Sequence, residues 1–145
     1  MAFGLNDSGC AYPTYADALA VAVDDDKIYV KQQTTPYYMH DAGKQIEIIG
    51  ANNLCDTLAV TPVEIDFMDD ITMTGPILTV SPLNTLEVTG IAFKNAKTAL
   101  LQLGAGSETT FAKGLLEGGD GFAGGAVTVK ESAELKIFNL SLIHI

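Results

Sequence analysis

Glu64 and Asp66 stand two apart in VEIDF (residues 63–67), a stretch that alternates apolar and charged side chains. In an extended strand this spacing projects both carboxyls from one face, about 6–7 Å apart. A carboxylate pair is the equipment of glycoside hydrolysis, one group as acid and the other as nucleophile or base. Carboxylates are also the hard oxygen ligands that Ca²⁺ takes. The catalytic candidates are therefore Glu64 and Asp66, and the calcium candidates are Asp66, Asp69 and Asp70. Against both stands the ordinary behaviour of charge runs, which form solvated outer faces and acidic turns. Val63, Ile65 and Phe67 point to the opposite face, so nothing in the sequence desolvates either carboxyl as an acid catalyst requires. The preferred reading assigns no catalytic residue, no metal and no cofactor.

The other chemistry-bearing residues also fit structural roles better than catalytic ones. GGDGFAGG (residues 118–125) lacks the Gly-Lys-Ser/Thr ending of a phosphate-binding loop and has Ala123 where a calcium-binding nonapeptide places Asp. It reads as a permissive turn. His40 has no second His or Cys nearby and reads as a turn residue rather than a ligand. All five tyrosines fall within the first 38 residues, which suits packing at an N-terminal cap. Eight basic against 18 acidic residues leave a net charge of −10, and every cation is a lysine. Nucleic acid and anionic lipid need clustered positive charge, so neither is an expected partner. No apolar run reaches bilayer-spanning length, and no secretion signal is visible.

The elements that would position these residues are short. Residues 14–23 carry Tyr15, Ala18, Leu19 and Ala22 on one helical face, with Thr14 and Asp17 spaced as a capping box, and predict an amphipathic helix. Afterwards the apolar pattern has period two. Ile28/Val30, Ile46/Ile48, Val63/Ile65, Leu78/Val80, Leu86/Val88, Leu101/Leu103, Val127/Val129 and Leu135/Ile137 are the expected inward positions. ILTVSPLNTLEV (residues 77–88) aligns without a gap on AVTVKESAELKI (residues 126–137), an offset of 126 − 77 = 49. LLQLGAGSETTF (residues 100–111) fits between them, at offsets of 100 − 77 = 23 and 126 − 100 = 26. Such steps match a repeat whose units bury their apolar faces against one another. The expected fold is all-β: a right-handed, single-stranded parallel β-helix over residues 1–139. It comprises a cap (residues 10–27) with the short helix, then rungs (residues 28–139), about five or six in number.

DKIYV, TPYYM and KQIEIIGA, between Cys10 and Cys55, resemble the "DTIYV", "GTY" and "KSLTLIGG" segments that open bacterial surface proteins with a pectin-lyase-like β-helix. NTLEVTGIAFKNA and GFAGGAVTVKESAELKIFN are similar to the "TLTLSGLTFTNG", "GGAIYV" and "LTITNSTF" rungs of those proteins and of polymorphic outer-membrane proteins. The resemblance implies an extracellular or cell-surface location, and it implies that Cys10 and Cys55 pair, as such proteins often have a Cys pair there. The other reading is two buried free thiols. Pectate lyases of similar fold use an arginine as base, and this chain has none.

LSLIHI (residues 140–145) looks like the translation of a sequencing-library adapter, which predicts a truncated metagenomic fragment ending near Asn139; the alternative is a final apolar strand. Two functions are expected. The first is a non-catalytic, adhesin-like surface module contacting glycans or cell-surface proteins. The second is the N-terminal fragment of a carbohydrate-active lyase or hydrolase with its catalytic rungs elsewhere. The enzyme question is left open, leaning to no.

Overall fold

The computed structural model describes residues 1–118, 127–139 and 141–143. The chain opens with β1 (Phe3–Leu5) and α1 (Tyr15–Val21), followed by β2 (Lys27–Lys31), β3 (Met39–His40) and β4 (Glu47–Ala51). Next come β5 (Val63–Asp66), β6 (Leu78–Val80), β7 (Thr85–Thr89), β8 (Ile91–Lys94) and β9 (Leu101–Leu103). The remaining strands are β10 (Glu108–Ala112), β11 (Leu115–Glu117), β12 (Val127–Val129), β13 (Glu134–Phe138) and β14 (Ser141–Ile143). They form a six-stranded sheet, β1-β2-β4-β7-β10-β13, and two four-stranded sheets, β14-β11-β8-β5 and β12-β9-β6-β3.

This arrangement corrects the expected all-β, right-handed parallel β-helix. The described residues form a mixed α/β fold of three separate sheets and one helix. Among the described residues no strand pairing joins one sheet to another, so the sheets do not close, and β1 runs antiparallel to β2. The physical reason is that period and repeat length decide which residues face inward and which pair. They carry no information on how sheets join.

The repeat spacing is the pairing register. Leu78 pairs with Leu101 and Leu101 with Val127; Leu86 pairs with Thr109 and Thr109 with Leu135. Left-handed backbone recurs at the same offsets: Leu83, Gly106 and Ser132 before β7, β10 and β13, then Gly90, Lys113 and Asn139 after them. Gly50 answers a different need. A Cβ there would overlap the Gly90 carbonyl and lie 3.3 Å from the Val63 Cβ, so only glycine lets the two chain segments approach.

One apolar core is enclosed, and of the expected inward positions all from Ile28 through Leu103 are buried. The last four differ. Val127 and Leu135 are partly buried, while Val129 is 51% and Ile137 41% exposed. β12 and β13 are the end strands of their sheets, so these side chains pack on one side only.

The helix stops at Val21, two residues before the expected Val23, with Ala22 as an extended C-cap. Thr14 caps its start by accepting from the Asp17 backbone N–H at 3.1 Å, and Tyr15 and Ala18 are buried. Lys44 Nζ donates to the Leu19 carbonyl at 2.6 Å, satisfying an acceptor that the helix end leaves open. Two of the five tyrosines gather there: Tyr15 and Tyr37 pack with Phe3, centroids 5.2–6.4 Å apart, while Tyr38 packs on Phe67. Most of the GGDGFAGG motif and His144 lie outside the described residues, as does Leu140, while β14 pairs with β11. Among the described residues, no helix is long and apolar enough to cross a membrane.

Candidate functional site

β5 is the edge strand of its sheet and carries both candidate carboxylates. Sheet pairing sets Asp66 beside Lys94, and Lys94 beside Glu117. Lys94 Nζ lies 3.2 Å from Glu64 Oε1 and 3.6 Å from Glu117 Oε2. The hydrogen bond to Glu64 holds the ammonium above the ordinary lysine value; partial burial opposes it, and the charges of Glu64, Glu117 and Asp66 reinforce it. The Glu64 side chain is 51% exposed.

The free edge of β5 is closed by a side chain. Gln32 Oε1 accepts from the Glu64 backbone N–H at 2.8 Å, and its Nε2 donates to the Glu64 carbonyl at 3.0 Å. The amide replaces a neighbouring strand and blunts an edge that would otherwise invite another chain. Asp66 Oδ1 accepts from the Met68 N–H at 2.8 Å and from Asn95 Nδ2 at 3.0 Å. Asp70 turns inward on its own loop, accepting from the Thr72 hydroxyl at 2.7 Å and the Thr72 N–H at 2.8 Å, which lowers its pKa. Asp69 takes left-handed backbone in the same loop, and its N–H donates to the Asn95 carbonyl. Among the described residues, no three His, Cys, Asp or Glu side chains converge as a metal site. The structure thus brings Glu64 and Asp66 to one edge, and it gives Asp66 and Asp70 turn-capping work.

A groove of about 370 Å³ opens beside this edge, lined by Gln32, Gln33, Pro36, Glu64, Asp66 and Met68 among others. A smaller pocket of about 120 Å³ adjoins it, sharing Gln33 and Pro36 and extending to Phe3, Pro13 and Tyr37. The Tyr37 hydroxyl is buried without a hydrogen-bond partner, and burial raises its pKa.

Cys10 and Cys55 are joined by a disulfide, Cα–Cα 5.1 Å, which ties the segment before α1 to the loop after β4. His40 lies in β3, where its carbonyl accepts from the Tyr15 hydroxyl at 2.6 Å.

Sequence reasoning missed Asp41. Its fully buried carboxylate accepts from the Gly43 N–H at 3.0 Å, the Ser81 N–H at 2.9 Å, Asn84 Nδ2 at 2.6 Å, and the Ser81 hydroxyl. The only trace in the sequence is a polar pair, Ser81 and Asn84, at a position where the repeat otherwise turns from one strand into the next. With its charge met by neutral donors alone, this network holds the β3–β4 turn against the β6–β7 turn. Asp41 is a structural group.

Comparison with family models, with curated proteins and with solved structures gives no match to this chain. The resemblance to bacterial surface proteins therefore rests on the sequence motifs quoted above.

Proposed function

We propose that the chain is a non-catalytic, extracellular or cell-surface module that contacts glycans through the groove beside β5. The observation that carries this reading is the half-exposed Glu64 carboxyl in the wall of that groove, held there by its ion pair with Lys94. Exposed carboxylates and amides are good acceptors and donors for sugar hydroxyls. A glycosidase acid must bring a proton into the reaction from a desolvating site, whereas Glu64 is half exposed and ion-paired. A lyase needs a base at the sugar's acidic carbon and cations for its carboxylate. Here a single lysine faces several acids. The Cys10–Cys55 disulfide supports an oxidising compartment, in line with the resemblance to surface proteins.

The test is an assay of the purified chain on neutral, acidic and amino-sugar glycans, with and without Ca²⁺, scored for both binding and turnover. Binding without turnover is the expected result. Turnover that disappears in Glu64→Gln or Asp66→Asn would make the chain an enzyme and overturn this reading.

A further inference from the structure

The two adjoining cavities differ sharply in chemistry. The larger is rimmed by Gln32, Gln33, Glu64 and Asp66. The smaller has walls of Phe3, Pro13, Pro36 and Tyr37 and a volume of about 120 Å³. That is roughly four waters' share of liquid, enough for an acetamido group. Sugar hydroxyls are disfavoured in such a place because they would lose their water without replacement. A methyl group is favoured there.

Charge narrows the ligand further. The net charge of −10 and the carboxylates at the groove rim repel uronates and sulfated chains, and they attract an ammonium. We propose that the paired cavities form one amino-sugar site: the small pocket takes the acetyl group of an N-acetylated residue. The acidic groove takes the hydroxyls and free ammonium of a neighbouring, deacetylated residue. The ligand class is a partly deacetylated amino-sugar chain. This inference rests on the glycan-contacting reading above and adds the sugar class and the orientation.

The experiment is calorimetric titration of the full chain with three tetrasaccharides of β-linked glucosamine: fully acetylated, half acetylated and fully deacetylated. Polygalacturonate and a proline-rich peptide are the controls. The half-acetylated chain should bind tightest, and polygalacturonate and the peptide should not bind. Loss of one buried methyl is worth about fourfold in affinity, so the fully deacetylated chain should be weaker by at least that factor. Pro13→Asn, which sets a polar group in the small pocket alone and is checked for native circular dichroism, should weaken the acetylated ligands and leave the deacetylated one unchanged. Glu64→Gln should erase the advantage of half over full acetylation. Binding of neutral glucans as tightly as acetylated chains would overturn the amino-sugar site while leaving the glycan reading standing. Binding of the peptide alone, or of no sugar, would overturn both.

Discussion

Asn84 Nδ2 lies 2.6 Å from Asp41 Oδ2, joining two buried residues that are 43 positions apart. The same amide donates to the Lys44 carbonyl at 2.7 Å, and the Lys44 ammonium in turn holds the C-terminal end of α1. One buried carboxylate thereby connects two turns and, through Lys44, the helix. Removing it leaves the buried Asn84 amide and the half-buried Ser81 N–H and hydroxyl short of an acceptor.

Asp41→Ala should therefore destabilise the fold by about 3 kcal/mol, the scale expected when buried donors lose a charged acceptor. Ser81→Ala, which removes one hydroxyl and leaves the carboxylate other partners, should cost about 1 kcal/mol. Urea unfolding followed by far-ultraviolet circular dichroism measures both. Equal effects would mean that Asp41 does not organise the network.

Val80 and Val129 are linked through Leu103 by strand pairing, yet Val80 is buried and Val129 is 51% exposed. The same valine-to-alanine change should thus cost about 2 kcal/mol at Val80 and under about 0.5 kcal/mol at Val129. The pair of thermal melts reads the difference directly. Similar costs would require Val129 to be covered in solution.

The Cys10–Cys55 disulfide spans 45 positions. By loop-closure entropy a cross-link of that span stabilises by about 4 kcal/mol, an upper figure because denatured chains are not ideal coils. A Cys10→Ala/Cys55→Ala variant should lose a large share of its stability, and the wild-type chain should lose the same share in reductant. No change in either case would contradict a bonded pair that ties down the N-terminal segment.

Two carboxylates predict the acid limb of stability. Asp26 has its pKa lowered by the Val23 backbone N–H, then by the Asn6 amide, and Asp70 by the hydroxyl and N–H of Thr72. A carboxyl whose pKa is lower folded than unfolded stabilises the fold above its ordinary value of 3.8, and that contribution vanishes as pH falls through the folded value. Stability should decline below about pH 4, and Asp26→Asn and Asp70→Asn should flatten the decline. Lys94 works the other way: its raised pKa gives stability below 10.5 that is lost as pH climbs through the folded value. Urea midpoints from about pH 2 to about pH 6 check the acid limb.

Much of the interior was legible because side chains alternate. Ile28, Ile48 and Val88 face the core in one register, as period two requires. β8 escaped that test because Ile91, Ala92 and Phe93 are all buried, leaving no alternation to see. β10 escaped because Thr109 holds an inward position where its neighbours have leucine. β1 is three residues long and carries no periodic signal. The repeat offsets made the pairing of β6 with β9 and β12 and of β7 with β10 and β13 legible, but how the sheets join was not, since mixed α/β and all-β chains share the same local pattern. Of the candidate site, Glu64 and Asp66 were readable as an outward pair. Lys94 was not, because it reaches Glu64 by strand pairing across 30 positions.

The most direct test of the proposed function is a ¹H–¹⁵N correlation titration of the uniformly labelled chain with a half-acetylated glucosamine tetrasaccharide, with product formation followed in the same tube. Shifts should concentrate at Gln32, Gln33, Tyr37, Glu64 and Lys94 while the saccharide stays intact. Cleavage of the saccharide, no shifts at saturating sugar, or shifts confined to surfaces away from β5 would contradict a glycan-contacting, non-catalytic groove.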